Sequence, residues 1–288
     1  MAIVGRPNVG KSTLLNKLLG QKISITSRKP QTTRQRILGI RTTATYQVIY
    51  IDTPGLQWPP VRAINRSMNR VASSALVGVD LVVWMVEGLR WTAMDAAIQT
   101  SLTGVAAPVL CAVNKIDRVV SRDALLPYLE WIGRQISVAE IVPLAAGRGE
   151  NTQRLEELVV QYLPKQGPVF PKDQFTDRSQ RFLAAEFVRE KLIRRLASEL
   201  PYRVNVQIER YVASHQVLHI DAVIWVEKAS QKAIVIGTRG EVLKGVGSAA
   251  RKDMERLFGK RVFLQLWVKV QENGSNDGQA LRKMGYVE

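Results

Sequence analysis

Short apolar runs alternate with helical stripes along the first 163 residues. Positions 1–4, 46–51, 81–86, 109–113 and 141–144 are mostly apolar and only four to six residues long. Such runs fit strands covered on both faces. Between them, Leu14, Leu15, Leu18 and Leu19 recur at helical spacing and Gly20 is placed to end the helix, while Leu155, Leu158, Val159 and Tyr162 line one face of a closing helix. Alternation of this kind predicts an α/β domain with a doubly wound, mainly parallel sheet. Positions 27–36 break the pattern: they are polar and basic with no core periodicity, and read as a long surface loop of the kind that is uncommon without a function.

A Pro/Gly-rich stretch at 163–171 reads as a linker, which divides the chain into a domain over 1–164, a linker over 165–171 and a second domain over 172–288. The second domain opens on a long helix, 177–200, with Phe182, Ala185, Val188, Leu192 and Leu196 as its apolar stripe. The charges on its other faces, among them Arg189, Glu190, Lys191 and Arg194, read as a solvated surface. Two alternating segments, 203–212 and 217–227, predict antiparallel strands. A short strand over 233–236 follows, then a helix over 241–258 interrupted at Gly245-Val246-Gly247, and a last strand over 262–270. This is a smaller α+β domain. Trp225 and Trp267 fall in strand patterns and are expected in its core, as are Ile234, Val235 and Ile236.

Composition changes the picture in one respect. The chain has 288 residues, 46% of them apolar, and a net charge of +16. Residues before 169 carry 20 basic and 11 acidic side chains and the remainder 21 and 14, so the excess is spread over both halves. A surplus of this size favours a polyanionic partner, nucleic acid first and an anionic membrane surface second. The lone Cys111 lies in an apolar run, forms no internal disulfide, and fits a reducing cytoplasm. No apolar run approaches the ~18 residues of a membrane span. His215 and His219 have no partners at metal-ligand spacing.

The chemistry is concentrated in three places. Gly5-Arg6-Pro7-Asn8-Val9-Gly10-Lys11-Ser12 fits the loop that cradles nucleotide phosphates, set between a strand and a helix as the mechanism requires. Lys11 is expected on the β- and γ-phosphates and Ser12 on Mg2+. Asp52-Thr53-Pro54-Gly55 follows the 46–51 strand; its carboxylate is placed to hold Mg2+ through water, and Gly55 to offer an unhindered N–H to the γ-phosphate. A threonine hydroxyl from the 27–36 loop is expected to complete the metal shell. Asn114-Lys115-Ile116-Asp117 ends the 109–113 strand. The Asp117 carboxylate accepts the paired N1–H and 2-amino donors of guanine, which adenine lacks. Asn114 is expected on the base edge and the Lys115 stem along the base plane.

With these motifs in order, the chain resembles the Era family of translation-factor-type GTPases. Gln31-Thr32-Thr33-Arg34 adds to the likeness. The resemblance implies a slow GTPase with Mg2+ as cofactor, held by Ser12, Thr33 and Asp52, with Thr32 close beside the expected threonine. It implies catalytic contributions from Lys11, Thr33 and Gly55. Nucleotide contacts would come from Gly5, Asn8, Val9, Gly10, Lys11, Ser12, Thr13, Asp52, Gly55, Asn114, Lys115, Asp117 and Ala145. In some relatives the asparagine matching Asn8 helps hold potassium, so K+ is a further expectation. Leu56 replaces the water-orienting glutamine of Ras-like enzymes, as it does in this family. Two features depart from the pattern: the fifth motif reads Leu144-Ala145-Ala146 instead of Ser-Ala-x, and only four residues precede the phosphate loop.

Gly237-Thr238-Arg239-Gly240, in a basic setting before a helix, resembles the RNA-backbone clamp of a KH domain. Gly237, Thr238, Arg239, Gly240 and Lys244 are the expected RNA contacts. Asp177-x-Ser179-x-Arg181-Phe182 and Glu199-Leu200-Pro201-Tyr202 extend the likeness to Era's C-terminal domain. The family implies a monomeric cytoplasmic switch that binds the 3′ region of small-subunit rRNA, assists small ribosomal subunit assembly, and meets the inner face of the cell membrane. Two alternatives remain open at this point: a tRNA-modification GTPase, whose group needs a folate-binding domain and a C-terminal cysteine, and an RNA-binding protein with an inactive nucleotide site.

Overall fold

The computed structural model describes residues 1–29, 32–56, 63–135, 137–196, 200 and 204–271. Gln31, the 197–199 end of the expected long helix, Pro201-Tyr202 and the chain after 271 lie outside the described residues. Two compact units form, one of Met1–Ser24 with Thr33–Asp177, the other of Ile25–Thr32 with the chain from Arg178 onward.

The first unit is built on a six-stranded sheet. Its strands are β1 (Ala2–Gly5), β2 (Ile37–Thr42), β3 (Gln47–Asp52), β4 (Val82–Glu87), β5 (Val109–Asn114) and β6 (Glu140–Pro143), in the order β2-β3-β1-β4-β5-β6. All neighbours are parallel except β2 and β3. β1 is short, yet it is buried throughout and pairs with β3 on one side and, over all four residues, with β4 on the other. Four residues therefore suffice to anchor the loop that follows. Helices α1 (Lys11–Leu19), α2 (Ala63–Ser74), α3 (Ala93–Leu102), α4 (Leu125–Gln135) and α5 (Thr152–Tyr162) accompany the sheet. Trp84, the largest fully buried side chain, packs in the core with Ile98 and Leu102 of α3 and Ile132 of α4. The 163–171 stretch is tied down: Gln47 Oε1 accepts from the amides of Val169 and Phe170. Beyond it, Thr176 Oγ1 donates to Leu38 O and the Ile40 amide to Phe175 O, so the chain runs along the outer edge of β2. A polar surface edge and a proline-rich stretch cover one another's backbone groups.

The second unit sets α6 (Gln180–Arg195), α7 (Ala229–Ile236) and α8 (Glu241–Phe258) against a three-stranded sheet of β7 (Asn205–Ala213), β8 (Val217–Val226) and β9 (Arg261–Val270), ordered β7-β8-β9. β7 and β8 are antiparallel, β8 and β9 parallel. Alternate residues Leu218, Ile220, Ala222, Ile224 and Val226 of β8 share a core with Phe187, Val188 and Leu192 of α6 and Val246, Ala250 and Met254 of α8. Ile25, from far upstream, is a member of that core and is 1% exposed.

Four expectations are corrected. The 233–236 segment is the end of helix α7, not a strand: Gln231 Oε1 accepts from the Glu227 and Lys228 amides and starts a helical turn that the β-branched run then continues. The 241–258 segment is one unbroken helix. Its glycines make room: a Cβ at Gly245 would overlap the Arg195 guanidinium, and one at Gly247 would press on Leu266. The charged face of α6 is not solvated at its centre, because Arg189, Glu190 and Lys191 are buried. Glu190 Oε1 accepts from Thr26 N at 2.9 Å and from Arg194, Arg194 donates to Thr26 O, Arg189 donates to Thr32 O, and Lys191 pairs with both Glu190 and Asp253. Finally, Trp267 and Ile234 are exposed at 41% and 55%, whereas Val235 is in the core.

Candidate nucleotide site and nucleic-acid clamp

The expected site residues of the first unit lie at the carboxyl ends of β1, β3, β5 and β6, with Thr33 ahead of β2. Gly5 leaves β1 at φ 150°, and a Cβ there would sit 2.6 Å from Met85 O. Asn8 adopts a left-handed φ of 62° and Gly10 a φ of 115°. A side chain at Gly10 would overlap the Asn114 amide, which itself donates to Val9 O at 2.7 Å. The loop is thus shaped by backbone conformations and close approaches that only small or polar residues permit. Gly10 then caps α1, whose first N–H groups point at the loop's interior.

Lys11 folds back over the loop and donates to Gly5 O at 2.9 Å and Arg6 O at 3.0 Å. Its burial strips hydration from the ammonium, and the pKa falls to about 8 despite the nearby Asp52. Ser12 Oγ lies 2.9 Å from Thr33 Oγ1 and donates to Asp52 Oδ2 at 2.7 Å. Ser24 Oγ reaches the same carboxylate oxygen at 2.7 Å. Burial raises the Asp52 pKa, and the two hydroxyls and Lys11 oppose that rise. Asp52 Oδ1 is buried without a hydrogen-bond partner. Thr32 is turned elsewhere: its hydroxyl donates to Lys29 O. Of the two threonines, it is Thr33 whose hydroxyl meets Ser12. Gly55 abuts the phosphate loop, where a Cβ would come within 2.8 Å of Pro7 N, and the Leu56 amide donates to Gly5 O. The Leu56 side chain packs among apolar residues of the core that Ile98 and Leu102 share.

Around the base motif, Asn114 is a brace. Its Nδ2 holds Val9 O and its Oδ1 accepts the Ala146 amide at 2.9 Å, so one side chain ties the phosphate loop to the β6–α5 loop. The amide of Ala145, one of the expected nucleotide contacts, donates to Glu150 O and closes a turn. The amide that meets the Asn114 side chain belongs to Ala146, one residue further on. Asp117 sits in a single helical turn, with Arg148 Nε at 3.3 Å from Oδ2. Lys115 has a left-handed φ of 65° and its Nζ lies 3.1 Å from Glu87 Oε1. Glu87 also pairs with Arg6, whose Nε reaches Asp95 Oδ2 at 3.2 Å. Burial pushes the Glu87 carboxyl up, but Lys115 and Arg6 outweigh it and hold the pKa below its ordinary value. Glu87 and Asp95 belong to no motif and Arg6 fills a variable position of the phosphate loop; the signal available was a lone acidic residue at the end of an apolar strand.

In the second unit, Gly237–Gly240 joins α7 to α8. Gly237, Arg239 and Gly240 all have positive φ, and a Cβ at Gly237 would overlap Val242. Thr238, Arg239 and Lys244 are exposed, and Ile234 beside them presents an apolar side chain to solvent. A turn this tight exposes backbone N–H groups and one cation at a helix N-terminus, which suits a phosphodiester.

Comparison with known proteins agrees with both halves. Residues 1–115 match the family of 50S ribosome-binding GTPases and residues 199–275 the KH domain family. GTPase Era of Pseudomonas aeruginosa strain PAO1 is 54% identical over 286 residues, covering 99% of this chain and 94% of its own. GTPase Era of Ectopseudomonas mendocina is 52% identical over 288 residues, covering 100% and 96%. Among solved structures, Era in complex with MgGDPNP and nucleotides 1506–1542 of 16S ribosomal RNA superposes with a TM-score of 0.93 at 37% identity, over 100% of this chain and 98% of that one. A point variant of Aquifex aeolicus Era bound to GDP and aluminium fluoride gives 0.94 at the same identity and coverage.

Proposed function

Because the chain belongs to the Era family of GTPases, we propose that it is a GTP-operated switch that binds the 3′ region of small-subunit rRNA and assists assembly of the small ribosomal subunit. One observation carries the reading. A single chain holds both the convergent Ser12–Thr33–Asp52 oxygens and an exposed Gly237–Gly240 clamp, and a relative 37% identical over its full length holds MgGDPNP and a 16S rRNA fragment together.

The residues fit a magnesium ion. Two hydroxyls and one carboxylate converge within hydrogen-bond distance, and Asp52 Oδ1 is left buried and unpartnered. A bound Mg2+ supplies charge neutralisation between the β- and γ-phosphates. Ser12 and Thr33 would hold it directly and Asp52 through water. Lys11, released from the Gly5 and Arg6 carbonyls, would bridge the β- and γ-phosphates, and Gly55 would donate its amide to the γ-phosphate. The Leu56 side chain brings no hydrogen-bonding group, so backbone groups or a cation near Asn8 would place the attacking water. Potassium is the cation the asparagine suits. Asp117 would take guanine's donor pair in exchange for its exposed partner Arg148. Gly237, Thr238, Arg239, Gly240 and Lys244 would clamp single-stranded RNA. The net charge of +16 supports a polyanionic partner, and among the described residues no helix is long and apolar enough to cross a membrane. We place the protein's work in the cytoplasm, as a monomer, with the anionic inner membrane face as a secondary docking surface.

The test uses the full chain. Fluorescent GTP and ATP analogues are titrated, and a labelled oligonucleotide of the 16S 3′ end is bound at several salt concentrations. Clear preference for GTP, with RNA affinity that falls steeply with salt, is expected. Equal affinity for the two nucleotides, or RNA binding indifferent to an Arg239→Ala change, overturns the reading.

A further inference from the structure

One carboxylate is shared between the two halves of the nucleotide site. Glu87 ends β4, and its two oxygens are divided: Oε1 pairs with Lys115 of the base motif, Oε2 with Arg6 of the phosphate loop. We propose that Glu87 is a positioning residue that couples base recognition to the shape of the phosphate loop. The proposal rests on the reading of Lys115 as the residue that packs along the guanine plane.

The geometry supports more than a surface ion pair. All four side chains of the chain Lys115–Glu87–Arg6–Asp95 are less than a fifth exposed, and Asp95 is fully buried. Ion pairs so placed escape most solvent screening, and removal of one member leaves its partners charged and unmatched. The far end is fixed, because Asp95 Oδ2 also accepts from Thr92 N and Thr92 Oγ1 at the start of α3. The near end is fixed by backbone: Glu87 is in register with Asn114, the Gly88 amide donates to Asn114 O at 2.8 Å, and Tyr128 Oη donates to Glu87 O. Glu87 is thus an immobile hub between two arms. Lys115 leaves the backbone in a left-handed conformation, and the Glu87 carboxylate holds its ammonium at 3.1 Å. Without the shared carboxylate, Lys115 and Arg6 become two cations with one remaining counter-ion, Asp95, which only Arg6 reaches. The lysine then swings toward solvent and the phosphate loop loses its link to the base.

A double-mutant cycle on the full chain tests this. Wild type, Glu87→Gln, Lys115→Met and the double variant are compared by titration with a fluorescent GDP and by steady-state GTP hydrolysis. Glu87→Gln is expected to weaken GDP binding about tenfold, equivalent to about 1.4 kcal/mol, and to raise KM while kcat stays within about twofold. The double variant should bind no more than about twofold more weakly than Lys115→Met alone, the signature of residues acting through one another. Glu87→Asp, which keeps the charge but shortens the reach, should fall between. Effects of the two single changes that multiply, or a Glu87→Gln protein that melts earlier yet binds GDP as wild type does, overturn the proposal. If Lys115→Met itself leaves GDP affinity unchanged, the failure lies in the assignment of Lys115 to the base.

Discussion

Lys11 offers a test that needs no ligand. In the unfolded chain its ammonium titrates near 10.5, and in the nucleotide-free fold near 8, because burial costs it more hydration than Asp52 returns. A lysine whose folded pKa lies below its unfolded value destabilises the fold wherever both states would be charged. The penalty is present in full below pH 8 and is relieved as pH rises from about 8 to about 10.5, since the unfolded chain holds the proton there and the folded one does not. At about 1.4 kcal/mol per pH unit, the gap amounts to about 3 kcal/mol. Most of this is recovered between pH 7 and pH 10. Cys111, pushed up to about 12, and Tyr50, pushed up further, work in the opposite sense at alkaline pH. They are present in both proteins when wild type is compared with Lys11→Met, so their contribution cancels in the difference between the two unfolding curves, which reports Lys11 and its effect on Asp52. Urea unfolding at pH 7, 8, 9 and 10 should show the variant's stability advantage shrinking, or its deficit growing, by that amount. A 13C titration of the lysine ε-carbons should place one resonance, missing in Lys11→Met, near pH 8. Parallel stability curves for the two proteins, or a Lys11 midpoint near 10.5, would refute the argument.

Three further outcomes follow from the geometry. Thr33→Ala removes the hydroxyl that meets Ser12 Oγ, and should cut GTP turnover about 10–100-fold while GDP affinity, measured by titration, changes little; Thr32→Ala should leave turnover near wild type. Gly10→Ala forces a Cβ onto the Asn114 amide at a φ of 115°, and should cost about 2–4 kcal/mol of stability by urea unfolding together with measurable nucleotide binding. Arg239→Ala should weaken single-stranded RNA binding and reduce the slope of log affinity against log salt by about 1.

The chemistry-bearing loops were legible because they are local. Gly5–Ser12, Asp52–Gly55 and Asn114–Asp117 each carry their geometry within a few residues and stand at strand ends, so spacing located them. What escaped the sequence depends on partners far away in it. The charges at the centre of α6 read as solvated because their counterparts, Thr26, Thr32 and Asp253, are 62 to 164 residues distant. Gly245 and Gly247 read as a break, but glycine there accommodates Arg195 and Leu266 without interrupting the helix. Ala-Ile-Val-Ile at 233–236 has the composition of a strand, and the Gln231 side chain decides for a helix. Ala145 and Ala146 are the same residue type in neighbouring positions, so no side chain marks which amide turns toward Asn114.

Ile25 ties the second unit to the order in which the chain is made. It emerges from the ribosome early, but the strands and helices whose core it shares, from Ala184 to Val268, come last. At about 5–20 residues per second, some 10–50 s pass before β9 is complete. Toward the end of that interval the first unit has all of its own residues available, while Ile25 still lacks the core that buries it. A chain cut before Phe170 to isolate the RNA-binding half would omit Ile25 and Thr26, and with them part of that half's own core and its main-chain anchor on Glu190.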